Sequence, residues 1–150
     1  MQNPATSAIK EIGPHEAIAS YLDVAWPVHL PWTHFPAGEE RVSYERVNRK
    51  TGETYRYSPA GQRLKRMGLK TGWFDFQFVL PNGQFACAEV KRPKGGKLSD
   101  EQIDHRAKLL AIGVALAEWR SPEDAEKTVT RWLAAFGLKP RATLMTRSDA

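Results

Sequence analysis

Apolar residues Ile18, Tyr21, Leu22 and Ala25 recur at i, i+3, i+4 and i+7, and Glu16, Ser20 and Asp23 fall between them. This spacing predicts an amphipathic helix, with Pro14 in its first turn and its end before Pro27. The prolines and aromatics of 28–38 predict an irregular or edge segment. Two β-prone runs, 42–47 and 54–57, flank Lys50-Thr51-Gly52 and predict a hairpin. Ser58 as N-cap, Pro59 at the first helical position and Gly68 as a stop predict a short basic helix with Arg63 and Arg66 on its polar side.

A second hairpin is predicted from 74–80 and 84–91 about Pro81-Asn82-Gly83. Its register decides which side chains share a face, because a one-residue slip turns every side chain over. A two-residue Asn82-Gly83 loop sets Asp75 opposite Val90. A three-residue loop, with a type I turn and Gly83 in the left-handed region, sets Asp75 opposite Glu89. Proline is favoured at the first central position of a type I turn, so Pro81 favours the second register. Glu89 and Lys91, two apart on one strand, then point the same way as Asp75.

Ser99 with Gln102 three residues on predicts a capping box, and Leu98 and Ile103 a hydrophobic staple. The helix they start runs to about Ile112, with Gly113 as its stop. A strand over 114–119 follows. Ser121-Pro122 then opens a last helix with Ala125, Val129, Trp132, Leu133 and Phe136 on one face, stopped by Gly137. A strand, helix and strand in succession from Glu89 to Trp119 predict a parallel pair, hence a mixed α/β sheet.

Composition narrows the class. The 150 residues suit one domain, and the formal net charge is +5. From 41 to 72 the bases Arg41, Arg46, Arg49, Lys50, Arg56, Arg63, Lys65, Arg66 and Lys70 stand against Glu45 and Glu53 alone; Lys91, Arg92, Lys94 and Lys97 form a second cluster. Such clustering is expected of a face that binds a polyanion, and equally of a solvated face. Cys87 is the single cysteine, so no intramolecular disulfide is available. No run reaches the roughly 18 apolar residues of a membrane helix, and the N-terminal residues lack a signal-peptide layout; the expectation is a soluble, cytoplasmic protein with no membrane partner. His15-Glu16 lacks a second histidine four residues on, and no Walker-type loop occurs, so neither a zinc-protease site nor a nucleotide cofactor is expected.

An aspartate at one strand's start, with a glutamate and lysine two apart on the next, suits a hard divalent cation and phosphodiester hydrolysis. The order Gly72-Trp73-Phe74-Asp75, a spacer, Glu89-Val90-Lys91, the loop Lys94-Gly95-Gly96-Lys97, then Leu98-Ser99-Asp100-Glu101-Gln102 resembles the PD-(D/E)XK nuclease signature, and more closely its VRR-NUC branch. The resemblance covers roughly 14–133; Phe74 stands where the family has proline.

It implies a restriction-endonuclease-like αβββαβ core with an inserted hairpin at 42–57; the domain is expected over 14–138, with an N-terminal extension at 1–13 and a flexible tail at 139–150. It implies Mg²⁺ or Mn²⁺ held by Asp75, Glu89 and the Val90 backbone carbonyl, with Lys91 as catalytic lysine, Glu16 as a helix-borne acid and Gln102 as an active-site glutamine. The activity implied is DNA endonuclease, structure-selective for branched or flap DNA, in a phage or repair setting, by a homodimer. Arg63, Lys65, Arg66, Lys70, Arg92, Lys94 and Lys97 would track phosphates, with Gly95-Gly96 a flexible part of that surface.

Blander roles stay open for each residue. Gln102 is explained by capping, Glu16 by a helix's first turn, and Glu89 with Lys91 by an ion pair. The whole protein reads alternatively as a non-catalytic DNA-binding module on the same fold.

Overall fold

The computed structural model describes residues 4–35 and 43–144. In chain order they form α1 (Pro4–Ala25), β1 (Trp32–His34), β2 (Tyr44–Val47), β3 (Thr54–Tyr57), α2 (Pro59–Arg66), β4 (Phe76–Val79), β5 (Phe85–Val90), α3 (Asp100–Ala111), β6 (Ala115–Trp119) and α4 (Pro122–Ala134). One four-stranded sheet has the order β1-β4-β5-β6; β2 and β3 form a separate two-stranded ribbon. The β1–β4 and β4–β5 pairs are antiparallel, and β5–β6 is parallel as the crossover predicts. This is the mixed α/β sheet flanked by helices, with an inserted hairpin, that the sequence leads one to expect.

Alternation on the strands separates two faces. Phe76, Phe78 and Leu80, with Ala86, Ala88 and Val90, and Ala117 and Trp119, point into the main core; α1 adds Ile18, Tyr21, Leu22 and Ala25, and α4 adds Val129, Trp132 and Leu133. The small alanines of β5 leave room for large rings. Phe78 lies 4.9 Å from Trp26, 5.6 Å from Trp132 and 5.8 Å from Trp119, centroid to centroid. Trp119 keeps its indole N–H satisfied by donating to Thr128 Oγ1 at 3.0 Å. The opposite face of the sheet carries Cys87, Glu89 and Lys91, and α3 lies along that side of β6.

Four expectations need correction. The first helix begins at Pro4 rather than at Pro14, so Pro14 lies inside it and residues 4–13 belong to that helix rather than to a separate extension. Periodicity fails to place the start because a proline is read as a beginning, although a helix tolerates one at the cost of a backbone hydrogen bond. The 81–83 turn is three residues long, as expected, but it is not type I: Asn82 has φ 68° and ψ 10°. Asparagine tolerates this left-handed conformation, and its Oδ1 accepts from the Gln84 N–H at 3.2 Å. The tail is not loose as far as 144. Arg141 donates from Nε to Trp26 O and from Nη2 to Asp23 O, both at 2.8 Å, which closes the carbonyl end of α1. Finally, the loop at 91–97 is pinned, as described below. Val42 and the end of the tail, 145–150, lie outside the described residues.

Cys87 is fully buried, and burial pushes its thiol up to about 12 from 9.0. A thiol reagent at pH 8 should therefore leave the native protein unlabelled and label it on unfolding, which mass spectrometry reads directly. Because the unfolded thiol ionises first, it loses its proton while the folded one keeps it. This group's contribution should accordingly make stability fall as pH rises from about 9 toward 12.

Candidate active site

Register brings the acids together. The pairs Phe76↔Ala88 and Gln77↔Cys87 continue to Asp75 opposite Glu89, the three-residue-loop register. Asp75 Oδ2 accepts a hydrogen bond from the Val90 N–H at 2.8 Å, crossing to the neighbouring strand. Its backbone is held as well. Asp75 O accepts from the Phe35 N–H at 2.7 Å and lies 3.0 Å from His34 Nδ1. His34 in turn packs edge-on against His15 at 4.3 Å, and His15 lies 4.6 Å from Phe76. Two histidines from α1 and β1 thus brace the strand end that carries Asp75. No sequence signal announces this, because the contacts join residues from separate elements.

Glu89 is 4% exposed. Its Oε1 accepts from Lys91 Nζ at 2.8 Å and from Gln102 Nε2 by a short bond. Lys91 Nζ also donates to Gln102 Oε1 at 2.9 Å. Three side chains from β5, its C-terminal extension and α3 so close a ring of hydrogen bonds. Among the described residues Glu89 Oε2 is buried and takes no hydrogen bond. A buried carboxylate oxygen without a donor is costly, and a cation or a donor on a ligand would relieve it.

Gln102 caps α3 and also meets the Glu89–Lys91 pair. Its backbone N–H donates to Ser99 Oγ at 3.2 Å and its Oε1 accepts from the Ser99 N–H at 3.0 Å, completing the capping box. The same Oε1 receives Lys91, and the amide nitrogen reaches Glu89. An amide carbonyl has two lone pairs, so the sharing is chemically consistent.

The helix bearing Gln102 is lightly packed, since none of its residues is buried. It is positioned instead by the segment before Asp75. His105 Nε2 lies 3.0 Å from Thr71 O, the Trp73 ring meets His105 edge-on at 5.5 Å, and Gly72 lies directly against Glu101 and Gln102. Phe74 is only 1% exposed and so anchors the approach to Asp75 by packing.

Glu16 is exposed, and its carboxylate takes no part in the bonded cluster; its backbone carbonyl accepts from Ser20 Oγ at 2.9 Å. Its neighbour His15 nevertheless sets this turn of α1 beside Phe76, next to Asp75.

The loop following Lys91 is closed by Arg120, a residue that no sequence motif singles out. Arg120 Nη1 donates to Arg92 O at 2.6 Å, and Nη2 donates to Gly96 O and to Glu118 Oε1, both at 2.8 Å. Lys94 and Lys97 remain exposed on the pinned loop. Arg63, Lys65 and Arg66 on α2, and Lys70 after it, are exposed. A cavity of about 300 Å³, lined by Arg56, Ser58, Gln62, Lys65, Lys70 and Thr71, extends to Gly72. Its lining holds no acid and includes neither Asp75 nor Glu89.

No group of three or more histidine, cysteine or acidic residues suited to a metal occurs among the described residues. Two carboxylates still suit Mg²⁺ or Mn²⁺, because these ions take one or two carboxylates with water and substrate phosphate completing the shell. The partnerless Glu89 Oε2, on the face it shares with Asp75, fits such an ion. No helix among the described residues is long and apolar enough to cross a membrane.

The chain is similar to a solved structure entitled "VRR_NUC domain", with a TM-score of 0.47 and 15% identity over 80% of this chain and 94% of that one. No family model and no curated protein matches the chain.

Proposed function

We propose that the protein is a divalent-metal-dependent deoxyribonuclease. The observation that carries this reading is the meeting of Asp75, Glu89 and Lys91 on one face of adjoining strands, with Glu89 Oε2 buried and lacking a partner. Asp75, Glu89 and the Val90 carbonyl would hold Mg²⁺ or Mn²⁺. A bound ion would supply Lewis-acid charge to the scissile phosphate and acidify a water.

The chain's own residues do the rest. Val90 N–H fixes the Asp75 carboxylate. Glu89 and Gln102 hold the Lys91 ammonium in place, where it can donate to a phosphate oxygen as negative charge develops in the transition state. The bases of α2, Lys70, Arg92, Lys94 and Lys97 supply contacts to the phosphate backbone, which position DNA without reading its sequence. Branched or flap DNA is the proposed substrate, and pairing of two copies would double the basic surface that meets it.

The test is incubation with supercoiled, linear and four-way-junction DNA in Mg²⁺ or Mn²⁺, beside EDTA. Cleavage in metal and none in EDTA is expected. Lys91→Ala should lower the rate about 100-fold or more, the usual scale for losing a positioned proton donor, while DNA binding persists. One observation favours the alternative, a non-catalytic DNA-binding module: Lys91 and Glu89 already neutralise one another at 2.8 Å. Salt-sensitive DNA binding by the wild type without cleavage in either metal would establish that alternative and overturn the nuclease reading.

A further inference from the structure

We infer that the β2–β3 ribbon is a stacking platform for unpaired bases, so that the protein engages nucleic acid at single-stranded segments. This rests on the nucleic-acid part of the proposed function and not on its catalytic part. Among the described residues the ribbon's strands pair only with each other. Its register sets Tyr44 opposite Tyr57 and Arg46 opposite Tyr55, so three tyrosines and an arginine share one face. Glu45, Arg56, Val47 and Thr54 take the other.

The tyrosine face is open. Tyr44 is 56% and Tyr55 47% exposed, whereas Tyr57 is half-buried beneath the Arg46 guanidinium, 4.3 Å from its centroid. Cross-strand packing of these rings steadies the ribbon, but that does not require two of them to face solvent. A concavity at the ribbon is lined by Arg46, Val47, Asn48, Arg49 and Tyr55, which brings cations and an aromatic ring together on the scale of a nucleotide.

Charge identifies the partner. Between 43 and 72 eight lysines and arginines stand against Glu45 and Glu53, so the surface suits a polyanion. Aromatic rings beside such charge suit the exposed faces of bases, which a paired duplex keeps stacked internally. A groove-reading ribbon would instead need polar side chains directed at base edges. Tyrosine and a ring-capped arginine on one face favour stacking.

The experiment measures binding of a fluorescein-labelled oligothymidylate and of a duplex of equal length, by anisotropy in EDTA. Tyr44→Ala with Tyr55→Ala should weaken single-strand binding about tenfold or more, on the scale of one or two lost base stacks. Duplex affinity should change by less than about twofold. Tyr44→Phe with Tyr55→Phe, which keeps both rings, should restore single-strand binding, and a far-UV spectrum reports whether each variant is folded. An equal loss on both DNAs, no loss on either, or failure of the phenylalanine pair to restore binding in a folded protein would overturn the platform. Hydrolysis plays no part in this measurement, so an inactive Asp75–Glu89 site would leave its outcome unchanged.

Discussion

Asp75→Asn should lower cleavage by about a thousandfold or more while leaving the protein folded. The size follows from removing several kcal/mol of metal-borne charge stabilisation, at about tenfold per 1.4 kcal/mol. Asparagine keeps an oxygen able to accept the Val90 N–H that Asp75 Oδ2 now accepts at 2.8 Å, so the strand pairing survives and only the charge is lost. Asp75→Ala is the harsher change, since it also leaves the Val90 N–H without its acceptor, at a cost of about 1–3 kcal/mol. The two variants therefore separate chemistry from stability. Wild-type protein should melt at a higher temperature in Mn²⁺ than in EDTA, because a ligand of the native state stabilises it. The asparagine variant should lose that rise and keep the wild-type melting temperature in EDTA. Undiminished cleavage by Asp75→Asn would remove Asp75 from the proposed mechanism.

The parts of this site that could be read from sequence are those fixed by local rules. Pro81 points to the three-residue loop through a type I turn that does not form, but the loop length is right, and length sets Asp75 opposite Glu89. Ser99 and Gln102 mark the start of α3 because a capping box is a local device. Lys91 follows from alternation on β5. What escaped reading depends on distant contacts. β1 has three residues between prolines and becomes a strand only by pairing with β4. His34 matters through its position beside the Asp75 carbonyl, Arg120 through carbonyls at 92 and 96, and Arg141 through carbonyls at 23 and 26. None has a neighbour in sequence that would reveal the partner. Charged residues of this kind look like solvated surface until the chain folds and supplies the acceptors.

Gly72 shows how closely the site depends on such a contact. Its φ is +79°, a conformation that L side chains rarely adopt, and a Cβ added there would meet Glu101 Cβ at 2.7 Å, Gln102 N at 2.9 Å and Glu101 C at 3.0 Å. Two of those atoms are backbone, so rotating a side chain cannot relieve the clash. Gly72→Ala should destabilise the protein by about 2–5 kcal/mol, combining the left-handed backbone cost with overpacking. Gly113→Ala supplies the comparison. It has a similar φ of +82° with nothing within 4 Å of the added Cβ, so it should lose only the backbone share, about 1–2 kcal/mol. Denaturant unfolding of both variants measures the difference. The clash also has a direction: relief requires the first turn of α3 to move away, and that turn carries Gln102, whose amide meets both Glu89 and Lys91. α3 has no buried residue to resist the movement. At a temperature where both variants remain folded, Gly72→Ala should therefore cleave at least about tenfold more slowly than Gly113→Ala, the fall expected when positioning of a catalytic group loosens. Equal stability would show that the 72–102 contact yields without cost. Equal cleavage despite unequal stability would show that Gln102 serves α3 as a cap and does not position Lys91 for the reaction.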